Sequence, residues 1–284
     1  MQEPNFRPLE RVELDTLVEW AAREGWNPGL ADGAAFWAAD SEGFFGMELA
    51  GELIGGISIV SYEGEYGFVG LFIVKPEWRA RGLGTKFWNF FIARLRERLK
   101  PAAPAGLDGV FAMQPYYAKS GFTFTHRHLR MEGIGQRGEM AAAFTNAAEL
   151  SFDQVREFDR RYFPADRSAF LRLWLRPTGG RALGWMESGQ LRGYGVIRPC
   201  RLGFKIGPLF AETAEIAESL FLGLSDQAAG EPIYLDVPEI NAAAVALAER
   251  HGLREVFGCA RMFMGPIPNL PWNGIYGVTT LELG

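Results

Sequence analysis

Arg79, Arg81, Gly82, Gly84 and Thr85 stand close together in Pro76-Glu77-Trp78-Arg79-Ala80-Arg81-Gly82-Leu83-Gly84-Thr85-Lys86, and their types suit an anion. The two glycines carry no Cβ, so a ligand can approach the backbone closely. Where a helix begins at such a stretch, its first N–H groups have no intrahelical partner and point outward. Arg79 and Arg81 add charge-assisted donors suited to phosphate oxygens. Two familiar phosphate loops fit poorly. A P-loop needs G-x-x-x-x-G-K-[ST], and the first glycine is missing at that distance. A dinucleotide turn is excluded here because nothing small stands three residues after Gly84.

The elements that must position these groups lie on either side. Tyr66 to Val74 has the length and the β-branched or aromatic content of a buried strand, and Pro76 closes it. From Thr85 onward Phe87, Trp88, Phe90, Phe91 and Leu95 recur at helical spacing, while Arg94, Arg96 and Arg98 face water. The glycines therefore fall where a strand turns into a helix N-terminus. A plain strand–turn–helix rich in arginine is the alternative for this stretch taken alone. Upstream, residues 9–24 read as a helix, Trp26-Asn27-Pro28-Gly29 as a turn and 34–39 as a short helix. Phe44–Leu49 and Leu53–Tyr62, joined at Ala50-Gly51-Glu52, read as a hairpin. Downstream, Pro101 to Gly106 is a break, Val110–Met113 a short strand and Phe122–Met131 another.

Composition bounds what such a site can serve. With 284 residues, 48% apolar and 22% charged, the chain suits two globular domains. No apolar run is long enough to span a membrane, and Met1 to Asn5 lacks a signal-peptide pattern, so a cytoplasmic protein without a membrane partner is expected. A net charge of −5 argues against nucleic acid as principal partner. Cys200 and Cys259 are too few for a disulfide framework or a structural zinc site, so buried thiols and no metal are expected. Gly133-Ile134-Gly135-Gln136-Arg137-Gly138 matches G-x-G-x-x-G, but a polar strand precedes it and no apolar-periodic helix follows, so it reads as a linker.

Arg79-x-x-Gly82-x-Gly84 resembles the pyrophosphate loop of the GNAT superfamily of acyl-CoA-dependent N-acetyltransferases. Tyr117-x-Lys119-x-Gly121-Phe122 resembles the segment that those enzymes carry after their fifth strand. The two occur in the expected order on either side of one helix–strand unit, although Gln114-Pro115 opens a shorter helix than many members have. The resemblance implies an α/β (α+β) fold whose domains are mixed, mostly antiparallel twisted sheets flanked by helices. It implies acetyl-CoA as cosubstrate, held by Arg79, Arg81, Gly82, Leu83, Gly84 and Thr85 at the pyrophosphate. The backbone of Phe72, Ile73 and Val74 would pair with the pantetheine arm. Trp26 and Asn27 would lie near the acceptor mouth.

Beyond residue 140 the chain repeats itself. Gly46 and Gly51-Glu52-Leu53-Ile54-Gly55 find counterparts 138 residues later, Pro76 finds Pro208 at 132, and Gly121-Phe122 finds Gly252-Leu253 at 131. The second copy lacks the functional groups. Glu212 and Glu215 follow Pro208 where a pyrophosphate would sit, and Ala248 takes the tyrosine's place. The resemblance thus extends to tandem-GNAT proteins with a degenerate C-terminal repeat, including a final strand at Gly277–Leu283 that is a candidate to complete the first domain's sheet. Domains of 1–137 and 138–284 are expected, in a monomer or homodimer.

Acetyl transfer to an amine poses two proton problems. An alkylamine of pKa ~10.4 is neutral about once in ~2,500 molecules at pH 7, a cost near ~4.6 kcal/mol. A carboxylate is the usual acceptor of that proton, and Glu63, Glu65 and Asp108 are unresolved candidates. The departing thiolate needs a proton, which a phenol of pKa ~10 still carries at pH 7. By the resemblance, Tyr117 is that acid. The expected activity is acetyl-CoA-dependent N-acetylation of a primary amine, small-molecule or peptidyl. A non-catalytic acyl-CoA-binding sensor is the alternative.

Overall fold

The computed structural model describes residues 3–138 and 143–284. The first repeat contains β1 (Asn5–Pro8), α1 (Arg11–Arg23), α2 (Asp32–Ala39), β2 (Phe44–Leu49), β3 (Glu52–Tyr62), β4 (Tyr66–Val74), α3 (Leu83–Arg98), β5 (Ala105–Val110), α4 (Gln114–Ala118) and β6 (Phe122–Ile134). The second contains β7 (Phe144–Asn146), α5 (Phe152–Arg160), α6 (Ser168–Trp174), β8 (Arg181–Glu187), β9 (Gln190–Pro199), β10 (Phe204–Ala211), α7 (Ala214–Ser225), β11 (Pro232–Pro238), α8 (Ala242–Arg250), β12 (Arg254–Met264) and β13 (Ile275–Gly277). From β2 onward the first order recurs from β8 onward, as the sequence offsets predict. The expected boundary at 137/138 adjoins residues 139–142, which lie outside the described residues.

All the strands join one mixed, mostly antiparallel sheet in the order β1-β2-β3-β4-β5-β12-β6-β11-β10-β9-β8-β7, with β13 on β10. The repeats exchange their closing strands: β12 lies between β5 and β6, and β6 pairs along its length with β11. The element that completes the first repeat's sheet is therefore β12 and not the end of the chain. The expected final strand is reduced to β13, and 281–283 form a turn, because the Thr280 Oγ1 accepts from the Glu282 and Leu283 N–H groups. The expected strand at Val110–Met113 is also displaced. Ala105–Val110 pairs on both sides, and Phe111–Met113 is a 3₁₀ turn. Short apolar runs do not distinguish the two locally.

Helices cover both faces. Phe87, Trp88, Phe91, Ile92 and Leu95 of α3 are buried against Phe45, Met47, Ile57, Ile59 and Val69. Burying each such side chain contributes roughly 1.5–3 kcal/mol. Helices α7 and α8 cover the second repeat's half of that face. The opposite face carries one apolar cluster shared by both repeats, with Leu17 of α1, Phe36 of α2, Phe158 of α5 and Trp174 of α6. No helix among the described residues is long and apolar enough to cross a membrane.

Candidate active site

The site begins with an irregularity in β4. Gly56 faces Ile73 while Ser58 faces Gly70, so β4 carries one residue more than β3 across this interval. Leu71 takes a left-handed φ of 49° there. The side-chain alternation switches in consequence: Tyr66, Phe68, Leu71 and Ile73 share one apolar cluster, while Val69, Phe72 and Val74 belong to the other. The parallel pairing of β4 with β5 ends at Val69 and Leu107. Past that point the strands part, and a cavity of about 720 Å³ opens between them and the start of α3.

Gly82 caps α3 with a φ of 75°, a conformation that favours glycine. A Cβ on Gly84 would meet only Val74 at 3.5 Å and Phe72 at 3.7 Å, ordinary contacts. Packing within the chain therefore does not demand that glycine, whereas a ligand lying against the loop would. The first N–H groups of α3 open on the cavity side, the geometry that favours anions.

Most of the residues expected from the sequence converge here. Phe72, Ile73, Val74, Arg79, Gly82, Gly84, Thr85 and Tyr117 all line the cavity. Arg81 and Leu83 do not: Arg81 stacks over the Trp78 ring at 4.7 Å, and Leu83 packs beside the apolar core under α3. Arg79 is also engaged within the chain, donating from Nε to the Val74 carbonyl at 2.7 Å and from Nη2 to the Glu24 carboxylate. Trp26 lines the cavity, but Asn27 turns away and exchanges hydrogen bonds with the Leu202 backbone at 3.0 and 3.1 Å.

Tyr117 is packed over Gly109 and against Trp88, with ring centroids 4.9 Å apart. Burial, and secondarily its neighbour Tyr116, push its phenol well above the usual range. The hydroxyl therefore stays protonated at any working pH, available to donate.

Of the three carboxylates weighed as bases, Glu63 and Glu65 fall outside the cavity; Glu65 is 3.4 Å from both Lys100 and Arg160. Asp108 lines the cavity but is held. Arg261 donates to one oxygen at 2.7 Å, and the other lies 3.0 Å from the His128 Nδ1, within ion-pair range although off the angle of a hydrogen bond. His128 in turn contacts His126, Nε2 to Nε2, at 3.1 Å. Burial, then His128 and Arg261, depress His126 to about 2, and burial depresses His128, so both are neutral. Ligand atoms of Asp108, His128 and Cys259 lie within 4.8 Å of one another, but the Arg261 guanidinium already occupies the carboxylate that a cation would need.

The sequence did not single out Gly70, Leu71, Glu24, Cys259 or Glu282 as cavity residues. The bulge leaves no local signature, and Glu282 arrives from the far end of the chain. Its place is fixed by close approach: a Cβ on Gly70 would stand 1.9 Å from the Glu282 carbonyl oxygen.

The second repeat has the same splay and a different occupant. Strands β10 and β11 pair in parallel only from Phe204/Ile233 to Ile206/Leu235. Beyond that, β13 pairs with β10 through Leu209 and Phe210, and the Val278 N–H donates to the Asp236 carbonyl of β11 at 2.9 Å. Glu212 is held by Arg161 at 2.7 Å and Arg192 at 3.0 Å; against the cost of burial, the two arginines lower its pKa.

Comparison with known proteins agrees with this geometry. A model of the acetyltransferase (GNAT) family matches residues 11–122, and one of an acetyltransferase (GNAT) domain matches 155–277. A holothin acyltransferase of Pseudoalteromonas sp. (strain SANK 73390) is 27% identical over 98% of this chain and 94% of its own. The uncharacterized N-acetyltransferase YitH of Bacillus subtilis (strain 168) is 25% identical over 81% of this chain and 80% of its own. Among solved structures, a candidate acetyltransferase of Pyrococcus horikoshii superposes with a TM-score of 0.84 over 100% of this chain and 97% of its own, at 23% identity. A tandem GNAT protein from the clavulanic acid biosynthesis pathway gives 0.61 at 15% identity, over 94% of this chain and 100% of its own, a likeness of fold alone. This chain belongs to the GNAT superfamily of acetyltransferases and carries two GNAT domains in tandem.

Proposed function

We propose that the chain is an acetyl-CoA-dependent N-acetyltransferase acting on a primary amine, with a single working cofactor slot built by residues 1–137 and no slot in the second repeat, 138–284. The observation that carries this reading is the open gap beyond Val69 and Leu107, next to the Gly82–Gly84 loop. The free edge of β4 from Gly70 to Val74 offers backbone groups to the amides of a pantetheine arm, as an added strand would. The α3 N-terminus receives the pyrophosphate, with Gly82, Leu83, Gly84 and Thr85 supplying backbone donors. Arg81 is exposed and reaches a phosphate by leaving the Trp78 ring. Arg79 reaches one only by exchanging its contact with Glu24.

The thioester carbonyl then lies near the bulge, where unpaired N–H groups stabilise the negative charge that develops on its oxygen. Attack by the amine nitrogen forms the C–N bond, the C–S bond breaks, and Tyr117 gives its phenolic proton to the departing sulfur. The acyltransferase named among the relatives, aligned over nearly the whole chain, supports group transfer rather than mere sensing. The test is thiol release from acetyl-CoA in the presence of a panel of primary amines, with Tyr117→Phe alongside. Amine-dependent release that Tyr117→Phe lowers at least about 100-fold supports the reading. Tight acetyl-CoA binding with no release for any amine would favour a sensor.

A further inference from the structure

Three acidic residues line the cavity, and two of them are spoken for: Glu24 by Arg79, and Asp108 by Arg261. The third, Glu282, is only 3% exposed, and neither of its oxygens has a hydrogen-bond partner. A buried ionised carboxylate without a partner costs several kcal/mol, roughly the penalty that active sites store for use. Its position is nevertheless held firmly. The Thr280 hydroxyl accepts from the N–H groups of Glu282 and Leu283 at 3.1 and 2.9 Å, and the Tyr62 hydroxyl donates to the Leu283 carbonyl at 3.0 Å. The Glu282 backbone packs directly on Gly70, the residue at which β4 leaves β5.

The surrounding charges show what this carboxylate balances. Arg130 is chelated by Asp236 at 2.7 and 2.8 Å, and Arg198 by Asp32 at 2.7 and 3.1 Å. Lys205, 1% exposed, has no carboxylate in ion-pair range among the described residues and donates only to the Trp26 carbonyl at 3.4 Å. Glu282 acts electrostatically on Arg130, Arg198 and Lys205 alike. Arg130 and Arg198 each have a carboxylate partner, which leaves Glu282 and Lys205 as the two loosely held members of the buried cluster. Both Glu282 oxygens are turned out of solvent contact, so this carboxylate meets a second cation in the cavity by turning toward it.

We propose that Glu282, delivered by the C-terminal turn of the second repeat, is the base that receives the proton of a cationic primary amine. This rests on the acyl-transfer reading above. The ammonium proton passes to the Glu282 carboxylate, which becomes neutral. The freed nitrogen lone pair attacks the thioester carbon, the C–S bond breaks, and sulfur takes the Tyr117 proton. The second proton leaves the new amide nitrogen and restores the tyrosine, while Glu282 returns its proton to solvent. The acceptor class follows: a basic alkylamine gains from this carboxylate, whereas an aniline, already neutral at pH 7, does not need it. The second repeat, without a cofactor slot of its own, then contributes a catalytic group.

The test compares the wild-type chain with Glu282→Gln and, as a control outside the cavity, Glu65→Gln. Acetyl-CoA binding is measured calorimetrically, and thiol release is followed with a panel of primary alkylamines and anilines from pH 6 to 10. Glu282→Gln should bind acetyl-CoA as the wild type does, showing an intact fold and slot. Its rate with the best alkylamine at pH 7 should fall about 100- to 10,000-fold, the usual range for a lost general base. That rate should recover tenfold per pH unit as solvent deprotonates the amine, and anilines should lose far less. Equal losses for alkylamines and anilines with no recovery at high pH, or an unchanged alkylamine rate, would overturn the role. A wild type that binds acetyl-CoA but transfers to no amine contradicts the acyl-transfer reading itself and removes this inference with it.

Discussion

In the first repeat β4 and β5 part beyond Val69 and Leu107 and leave a cavity; in the second, β10 and β11 part beyond Ile206 and Leu235 and β13 lies in the gap. Both splays begin at an irregularity in strand pairing, and both irregularities have a glycine pressed against the C-terminal segment. A Cβ on Gly70 would stand 1.9 Å from the Glu282 carbonyl oxygen, and one on Gly207 would stand 2.6 Å from those of Val278 and Thr279. One stretch of chain, from Ile275 to Gly284, therefore fills the second slot and then reaches the wall of the first. The comparison separates two properties of the fold. The splayed sheet is preserved by packing, while ligand binding depends on what is left out of the gap.

The largest expected contrast lies at the tyrosine position. Tyr117→Phe should lower turnover about 100- to 10,000-fold with little change in acetyl-CoA affinity, by steady-state rates and calorimetry. At its counterpart, Ala248→Gly in α8 should cost only about 1 kcal/mol of stability and leave turnover unchanged. A second contrast uses the glycines. Gly84→Leu should weaken acetyl-CoA binding at least about tenfold while moving the thermal midpoint little, because only ordinary contacts surround its Cβ. Gly207→Ala should do the reverse, destabilising the fold by about 1–3 kcal/mol through overpacking. Either pair behaving alike would erase the distinction between the slots.

A smaller effect is expected at the seam where β6 and β12 are exchanged. His126 and His128 are buried and neutral, with folded pKa values below the ~6.5 of an unfolded histidine. Below that pH the unfolded chain binds protons that the folded chain refuses, so stability falls as pH drops. The slope approaches about 1.4 kcal/mol per pH unit for His126 once pH is well under 6.5, and His128 adds to it in the same direction. Asp236, which Arg130 holds down to about 2 against the cost of burial, adds a further loss below its unfolded value of ~3.9. Thermal midpoints at pH 8, 6 and 5 should decline, and His126→Gln should flatten the decline. Smallest of all, Glu65→Gln should change stability by less than about 1 kcal/mol, since its ion pairs are at the surface.

What could be read from the sequence was local. The strand at Tyr66–Val74, the loop at Arg79–Thr85 and the helix after it are each specified by neighbouring residues, and the structure brings most of their site residues together. The repeat was legible for the same reason, since duplicated turns keep their glycines. Contacts between distant residues left no such trace. Nothing near Gly70 announces Glu282, and Thr280 shows its cap only once the chain has turned. The exchange of β6 and β12 was equally hidden, because each strand's alternation of faces is satisfied by either neighbour.

The central claim is that one slot is open and the other filled by the chain itself. Calorimetric titration of the full chain with acetyl-CoA tests it most directly, through the number of sites. One site per chain, abolished or strongly weakened by Gly84→Leu, is the predicted result. Two sites per chain, or one site untouched by that substitution, would contradict it.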